Sequence, residues 1–385
     1  MTLDLSFATA RTLVAKAGEA ARLGARLKEA GAARVLVVTD PGVERAGLLA
    51  APLAGMAEAG VAATLFTGVE PDPAHTVVEA AAAAARASRA DAVLGIGGGS
   101  AMDVAKLAAV LAGSGQPLEA MYGVGLVKGP RLPLYLVPTT AGTGSEVTPI
   151  SIVTTGENEK KGVVSPVLLP DLAVLDPELL LGLPRPVTAA TGIDAMVHAI
   201  EAYTSRLRKN PVSDALAREA LALLARGLPR AWEDGRDRDA RADTLLGACL
   251  AGMAFANAPV AAVHALAYPV GARFHVPHGV SNALVLPHVL RFNLPAAAAP
   301  YAELAPILDP SLAASGEAER ARALPDTLER LARELGVPMR LRDVGIGEGD
   351  LEALAEDAMK QTRLLVNNPR EVGLADALAL YREAF

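Results

Sequence analysis

The residues best suited to chemistry lie in the second half of the chain. Asp194 and His198 are four positions apart within 188–204, a stretch whose pattern predicts a helix. Both side chains therefore project from one helix face, and a carboxylate beside an imidazole makes half of a metal site. His264 follows in AAVHALAYP, and His278 in FHVPHGV, where the proline and glycine of a turn can aim an imidazole inward. Three histidines and one aspartate are ligand types suited to Fe²⁺ or Zn²⁺. Helical spacing joins Asp194 to His198, but nothing in the local sequence joins the other two to them. Taken singly, a histidine is more often packed or solvated than a ligand. Cys249 is the only cysteine, which excludes an intramolecular disulfide and a cysteine-based metal cluster.

A second set of residues lies in the first half. AVLGIGGGSAMDVAK, residues 92–106, runs from a strand through Gly97, Gly98, Gly99 and Ser100 into a helix that carries Asp103. Backbone N–H groups at such a helix start suit a pyrophosphate, although three glycines can also simply make a tight turn. PTTAGTGSEVT, residues 138–148, places Thr139, Thr140, Thr143 and Ser145 where another strand ends. Its hydroxyls suit phosphate, ribose or a nicotinamide amide. Asp40 closes an earlier strand. It reads as a carboxylate that takes adenosine-ribose hydroxyls and repels a 2′-phosphate, favouring NAD over NADP, or as a turn-forming aspartate before Pro41.

The elements that must position these residues differ between the halves. RVLVVT (34–39), DAVLGI (91–96) and LPLYLVP (132–138) read as buried parallel strands, with alanine-rich helices at 16–30 and 76–89. Strands alternating with helices predict an α/β dinucleotide-binding domain, a parallel sheet with helices on both faces and a ligand at the strand ends. Beyond Leu183-Pro184-Arg185-Pro186 the strand signals nearly vanish, and helices are expected at 188–204, 211–226, 240–256 and 316–335. Two domains are expected, 1–184 and 185–385, the second all-α and metal-binding, packed with a cleft between them. The 385 residues are 51% hydrophobic and 21% charged, with net charge −7 and no basic block. A nucleic-acid partner is therefore not expected. With no basic start before a long apolar run, and no uninterrupted apolar run of about 18 residues, neither a signal peptide nor a membrane partner is expected, and the reading is cytoplasmic.

GGGSAMDVAK, PTTAGTGSEVT, ATGIDAMVHAIEAYTS and HALAYPVGARFHVPHGVSNALVLPHVLRFN together resemble the iron-containing, group III alcohol dehydrogenases, and the likeness runs from about residue 5 to 380. The resemblance implies a dehydroquinate-synthase-like fold, and it carries metal ligation onto Asp194, His198, His264 and His278. It also implies cofactor contacts from Asp40, Gly97, Gly98, Gly99, Ser100, Thr139, Thr140, Thr143 and Ser145, and from a lysine that aligns best with Lys160, with Lys161 the alternative. The expected function is metal-dependent, NAD-linked interconversion of small alcohols, diols or aldehydes, in a homodimer or larger homo-oligomer.

Two positions depart from the family pattern. Tyr268 stands where many members carry a histidine, and Ala261 where they carry a glycine. A phenol with an ordinary pKa of about 10 is a poor proton acceptor at neutral pH. Besides Tyr268, His275, three residues before His278, is thus a candidate proton relay. The rival readings are a dehydroquinate-synthase-like or glycerol-dehydrogenase-like NAD and zinc enzyme, and a non-catalytic NAD- and metal-binding protein.

Overall fold

The computed structural model describes residues 5–156 and 159–385. They fall into two compact units, one spanning Ala8–Leu181 and the other Gly182–Phe385 together with residues 5–7.

In the first unit the strands are β1 (Leu13–Ala15), β2 (Arg34–Val38), β3 (Ala62–Phe66), β4 (Ala92–Gly97), β5 (Gly123–Val124), β6 (Leu134–Pro138), β7 (Ile150–Thr155), β8 (Glu159–Val164) and β9 (Leu172–Leu175). Six of them form a parallel sheet in the order β1-β9-β6-β4-β2-β3. β4 and β6 are buried along their whole length, as their continuous apolar runs require of strands covered on both faces. Its helices are α1 (Leu23–Glu29), α2 (Pro41–Arg45), α3 (Ala50–Glu58), α4 (His75–Ala87) and α5 (Gly99–Ser114). Leu36, Val38, Val93, Leu134 and Leu136 pack with α4 and α5 in one apolar core, while the alternate residues Val35, Val37, Leu94 and Ile96 are buried on the opposite face.

The sheet order has a consequence for binding. From β2 the chain passes to β3 on one side and then to β4 on the other, so the winding reverses between β2 and β4. A crevice outside the carboxyl ends of the strands at such a reversal is where doubly wound sheets take ligands.

Sequence reading missed β1, β3, β9 and the small sheet β5-β8-β7, whose members are short or only partly buried and so lack a long apolar run. The helix expected over 16–30 begins only at Leu23. Gly18, in the left-handed region at φ 73, interrupts it, and Glu19–Arg22 form a 3₁₀ turn.

The second unit is helical. It contains α6 (Arg185–Thr204), α7 (Pro211–Glu233), α8 (Arg238–Asn257), α9 (Ala262–Phe274), α10 (His278–Leu308), α11 (Glu317–Glu334), α12 (Leu351–Met359), α13 (Thr362–Leu365) and α14 (Leu374–Ala384), and no strand among the described residues. Asn210 and Asp237 cap α7 and α8 through their side chains, satisfying N–H groups that have no partner within the helix. Among the described residues no single helix is long and apolar enough to cross a membrane. The bent pair α8 and α9, at 107°, has sufficient length and composition, but its apolar residues are buried inside the unit.

A buried polar cluster ties α5 to β7. Lys106 Nζ donates to Ser145 Oγ at 2.7 Å, to Ile150 O at 2.7 Å and to Thr148 Oγ1 at 3.3 Å. Asp103 accepts from Ser145 Oγ at 2.6 Å and from Ile152 N at 2.8 Å, and its carboxylate lies 3.6 Å from the ammonium. Burial pulls the Lys106 pKa down, and Asp103 opposes that pull. Asp103→Ala should remove the largest charge that compensates the buried Lys106, leaving Glu146 as the remaining one, and cost about 3 kcal/mol, read as a fall in the urea midpoint. An unchanged midpoint would show that the cluster does not hold the first unit together.

Candidate functional site

α6 is buried along most of its length, so its polar residues are held in an apolar surround. Asp194 and His198 occupy one of its faces, a turn apart. His264 lies in the first turn of α9, and His278 is the first residue of α10. One ligand atom from each of these four residues lies within 4.8 Å of the other three. Asp194 Oδ1 is 3.5 Å from His278 Nε2, 3.8 Å from His264 Nε2 and 3.9 Å from His198 Nε2. The approach of α10 depends on Gly279, where a Cβ would stand 2.0 Å from Ala190 O on α6.

The rings form a packed group. His198 stacks between Phe255, at 4.3 Å between centroids, and His264, at 4.7 Å. Burial pushes the Asp194 carboxyl up, but His198, His278, His264 and the Asn282 amide outweigh it and hold the group below its ordinary range. Glu201 Oε2 lies 2.7 Å from His264 Nδ1, while Glu201 Oε1 accepts from Val263 N at 2.7 Å. A carboxylate only accepts, so His264 Nδ1 donates to Glu201 and Nε2 is the ring nitrogen turned to the cluster. A carboxylate oxygen and three imidazole nitrogens, one oriented by an outer carboxylate, fit a divalent metal.

Tyr268 and His275 are placed differently. Tyr268 borders the cluster, its ring centroid 5.6 Å from that of His278 and 6.4 Å from that of His264, as one helical turn after His264 requires. His275 is exposed and ends α9 in the left-handed region at φ 55, donating its N–H to Gly271 O at 3.0 Å. The turn is real, but it points the chain into α10 rather than adding a fifth member to the four-residue cluster.

In the first unit, the expected cofactor residues other than Lys160 lie at or just beyond the carboxyl ends of β2, β4 and β6, which are neighbours in the sheet, whereas Lys160 lies on β8 of the small sheet. Asp40 Oδ1 caps α2, accepting from Gly42 N at 2.8 Å and Val43 N at 3.0 Å, so the turn-forming reading holds for that oxygen. Its other oxygen lies 3.1 Å from where a Cβ on Gly97 would stand. A Cβ on Gly99 would meet the Thr143 side chain at 2.8 Å, and one on Gly98 would contact Thr140 Oγ1 at 3.6 Å. The glycine turn is therefore laid directly against the hydroxyl loop, and no side chain caps α5. Ser100 is half-buried beside the turn, and Thr139 is buried. Asp103 and Ser145 spend their polar atoms on Lys106 and β7. Lys160 forms an ion pair with Asp72, while Lys161 pairs with Glu159 at 3.3 Å.

Three residues escaped sequence reading. Glu201 follows His198 by three positions on α6, and that spacing could have marked it. Asn282 follows His278 by four, but the start of α10 reads as a turn. Lys106 looks like an ordinary solvated helix residue until the fold buries it.

A doubly wound sheet with this ligand edge, and a helical unit with this donor set, are those of a metal-binding oxidoreductase. The comparisons agree. The model of the iron-containing alcohol dehydrogenases matches residues 10–177, and that of the C-terminal part of the Fe-containing alcohol dehydrogenase family matches residues 188–385. The chain is 42% identical to the long-chain-alcohol dehydrogenase 1 of Geobacillus thermodenitrificans, over 93% of this chain and 91% of that one. It is 37% identical to the 1,3-propanediol dehydrogenase of Klebsiella pneumoniae, over 94% of each. The crystal structure of a 1,3-propanediol oxidoreductase matches at a TM-score of 0.96 and 35% identity over 100% of both chains. That of the sulfoacetaldehyde reductase of Bifidobacterium kashiwanohense in complex with NAD⁺ matches at 0.88 and 28%, over 99% of both. The chain belongs to the iron-containing alcohol dehydrogenase family.

Glu201→Gln should weaken divalent-metal binding about 10–100-fold, because an amide cannot accept from both His264 Nδ1 and Val263 N. Competition with a chromophoric chelator measures this, and an unchanged affinity would remove Glu201 from the metal site.

Proposed function

We propose that this enzyme interconverts small alcohols or diols with their aldehydes, using NAD(H) and a divalent cation held by Asp194, His198, His264 and His278. The observation that carries the reading is the convergence of these four donors within 4.8 Å. A bound Fe²⁺ or Zn²⁺ supplies Lewis acidity, which lowers the pKa of an alcohol and polarises an aldehyde carbonyl. Bound NAD⁺ supplies a hydride acceptor at the nicotinamide C4. The chain's own work is to bind, orient and move protons. The open N-terminus of α5 and the Gly97–Ser100 turn offer N–H donors to a pyrophosphate. Thr139, Thr140 and Thr143 offer hydroxyls beside it, and Lys160 adds a cation from β8. Asp103 and Ser145 serve the same contact by holding the hydroxyl loop to α5. Asp40 directs its uncapping oxygen to an adenosine ribose and repels a 2′-phosphate.

Proton transfer is assigned to Tyr268 and His275. Tyr268 borders the rings of His264 and His278, whereas His275 presents its imidazole to solvent. We further propose a homo-oligomer in the cytoplasm, with light scattering of the purified protein as the check on assembly.

His198→Ala and His278→Ala should each lose bound metal by elemental analysis and lower turnover at least about 100-fold, with NAD binding retained. Full activity of metal-stripped protein would overturn the reading. Asp40→Asn keeps the α2 cap and removes the charge, so it should move the NAD⁺ to NADP⁺ preference roughly tenfold toward NADP⁺. An unmoved ratio would free Asp40 of that role.

A further inference from the structure

The bend between α8 and α9, residues 258–261, sets where His264 stands, because His264 is the third residue of α9. The helix pair is bent by 107° there. The bend has little to hold it from within. Pro259 has no N–H to give, and Ala261 adopts φ −135 and ψ −129, outside the helical and extended regions. Buried side chains from elsewhere in the helical unit hold it instead. Ser205 Oγ donates to Pro259 O at 2.7 Å, and Asn367 Nδ2 donates to Val260 O at 3.1 Å. On the far side of the bend Glu201 accepts from Val263 N at 2.7 Å. Asn367 joins these pins into one set: its amide also donates to Arg363 O at 3.0 Å, and its backbone carbonyl accepts at 2.8 Å from the N–H of Arg206, the residue after Ser205.

We propose that Asn367 is a positioning residue for the metal ligand His264, acting by fixing the Val260 carbonyl and with it the start of α9. The inference rests on the metal reading of the preceding subsection. Glu201 holds the His264 ring and the Val263 N–H on the helix side of the bend. Asn367 and Ser205 hold the two carbonyls that precede it, so the backbone carrying His264 is gripped from both sides. Val260 is four residues before His264, and the first turn of a hydrogen-bonded helix moves as a unit, so a drift of the bend is passed on to the ring. Bonds from imidazole nitrogen to a divalent cation are held near 2.0–2.1 Å for zinc, and a ligand displaced by a few tenths of an ångström, roughly the tolerance of such sites, binds less well. Asn367→Ala takes the donor from the Val260 carbonyl, which must then find another partner or stand unsatisfied. Either outcome moves the bend.

The test uses full-length protein stripped with a chelator and reloaded with Co²⁺, whose visible absorption reports the geometry of its ligands. Asn367→Ala should weaken Co²⁺ binding roughly tenfold against a chromophoric competitor and shift the visible bands of the loaded protein. Asn368→Ala is the control. Asn368 is also buried and bonds to Asn293 and to Arg370 O, and none of its hydrogen bonds among the described residues reaches the bend. Its variant should lower the melting temperature while leaving the bands and the affinity as in wild type. Should Asn367→Ala fail to fold, Ser205→Ala removes the neighbouring pin and is expected to shift the bands in the same way. Wild-type bands and affinity in the variant that folds, or equal shifts in Asn368→Ala, would reduce Asn367 to general packing and overturn the inference while the metal reading stands. Wild type that takes up no more Co²⁺ than His278→Ala would overturn the metal reading, and this inference with it.

Discussion

The helical unit is built around the burial of one carboxylate. Asp194 is 2% exposed, and an isolated charge in such a place is strongly disfavoured. Every nearby polar group answers to it: three imidazole nitrogens converge on Oδ1, and the Asn282 amide donates to it. Glu201, buried in turn, orients His264. The ring stack of Phe255, His198 and His264 leaves these groups little freedom to relax away from one another. A site so constrained holds its donor atoms close to one another, and preorganisation of this kind keeps the ordering cost of binding low.

Close backbone approach is the second requirement, and it is met by small residues. Gly279 lets the first turn of α10 press on Ala190 of α6, which brings His278 to Asp194. In the α/β unit Gly97 and Gly99 do comparable work, admitting Asp40 and Thr143 to the glycine turn. The two glycines occupy places where a side chain would collide with Ala101 or Thr143, so their role is one of space.

Polar satisfaction beneath the ligand edge follows the same logic as at the metal centre. The hydroxyl loop after β6 could be read as a row of donors waiting for a ligand, but Ser145 is committed to Asp103 and Lys106. The remaining threonines are positioned because that commitment holds the loop to α5. The exposed β-strand edge at β3 and the short β1 frame the sheet without entering this network.

Much of this was legible in the residues themselves. Continuous apolar runs gave β2, β4 and β6. Helical periodicity gave α4, α6, α7, α8 and α11. The (i, i+4) spacing put Asp194 and His198 on one face, and Tyr268 on the face of His264, because both are consequences of 3.6 residues per turn and need no tertiary knowledge. The approach of His264 and His278 to that pair was not legible locally, since it depends on how α6, α9 and α10 pack and on the absence of a Cβ at Gly279. Nor were the Glu201 bond to His264, the Asn282 bond to Asp194 and the burial of Lys106. Local periodicity determines which way a side chain points along its own element, whereas only the packed fold decides what it meets there.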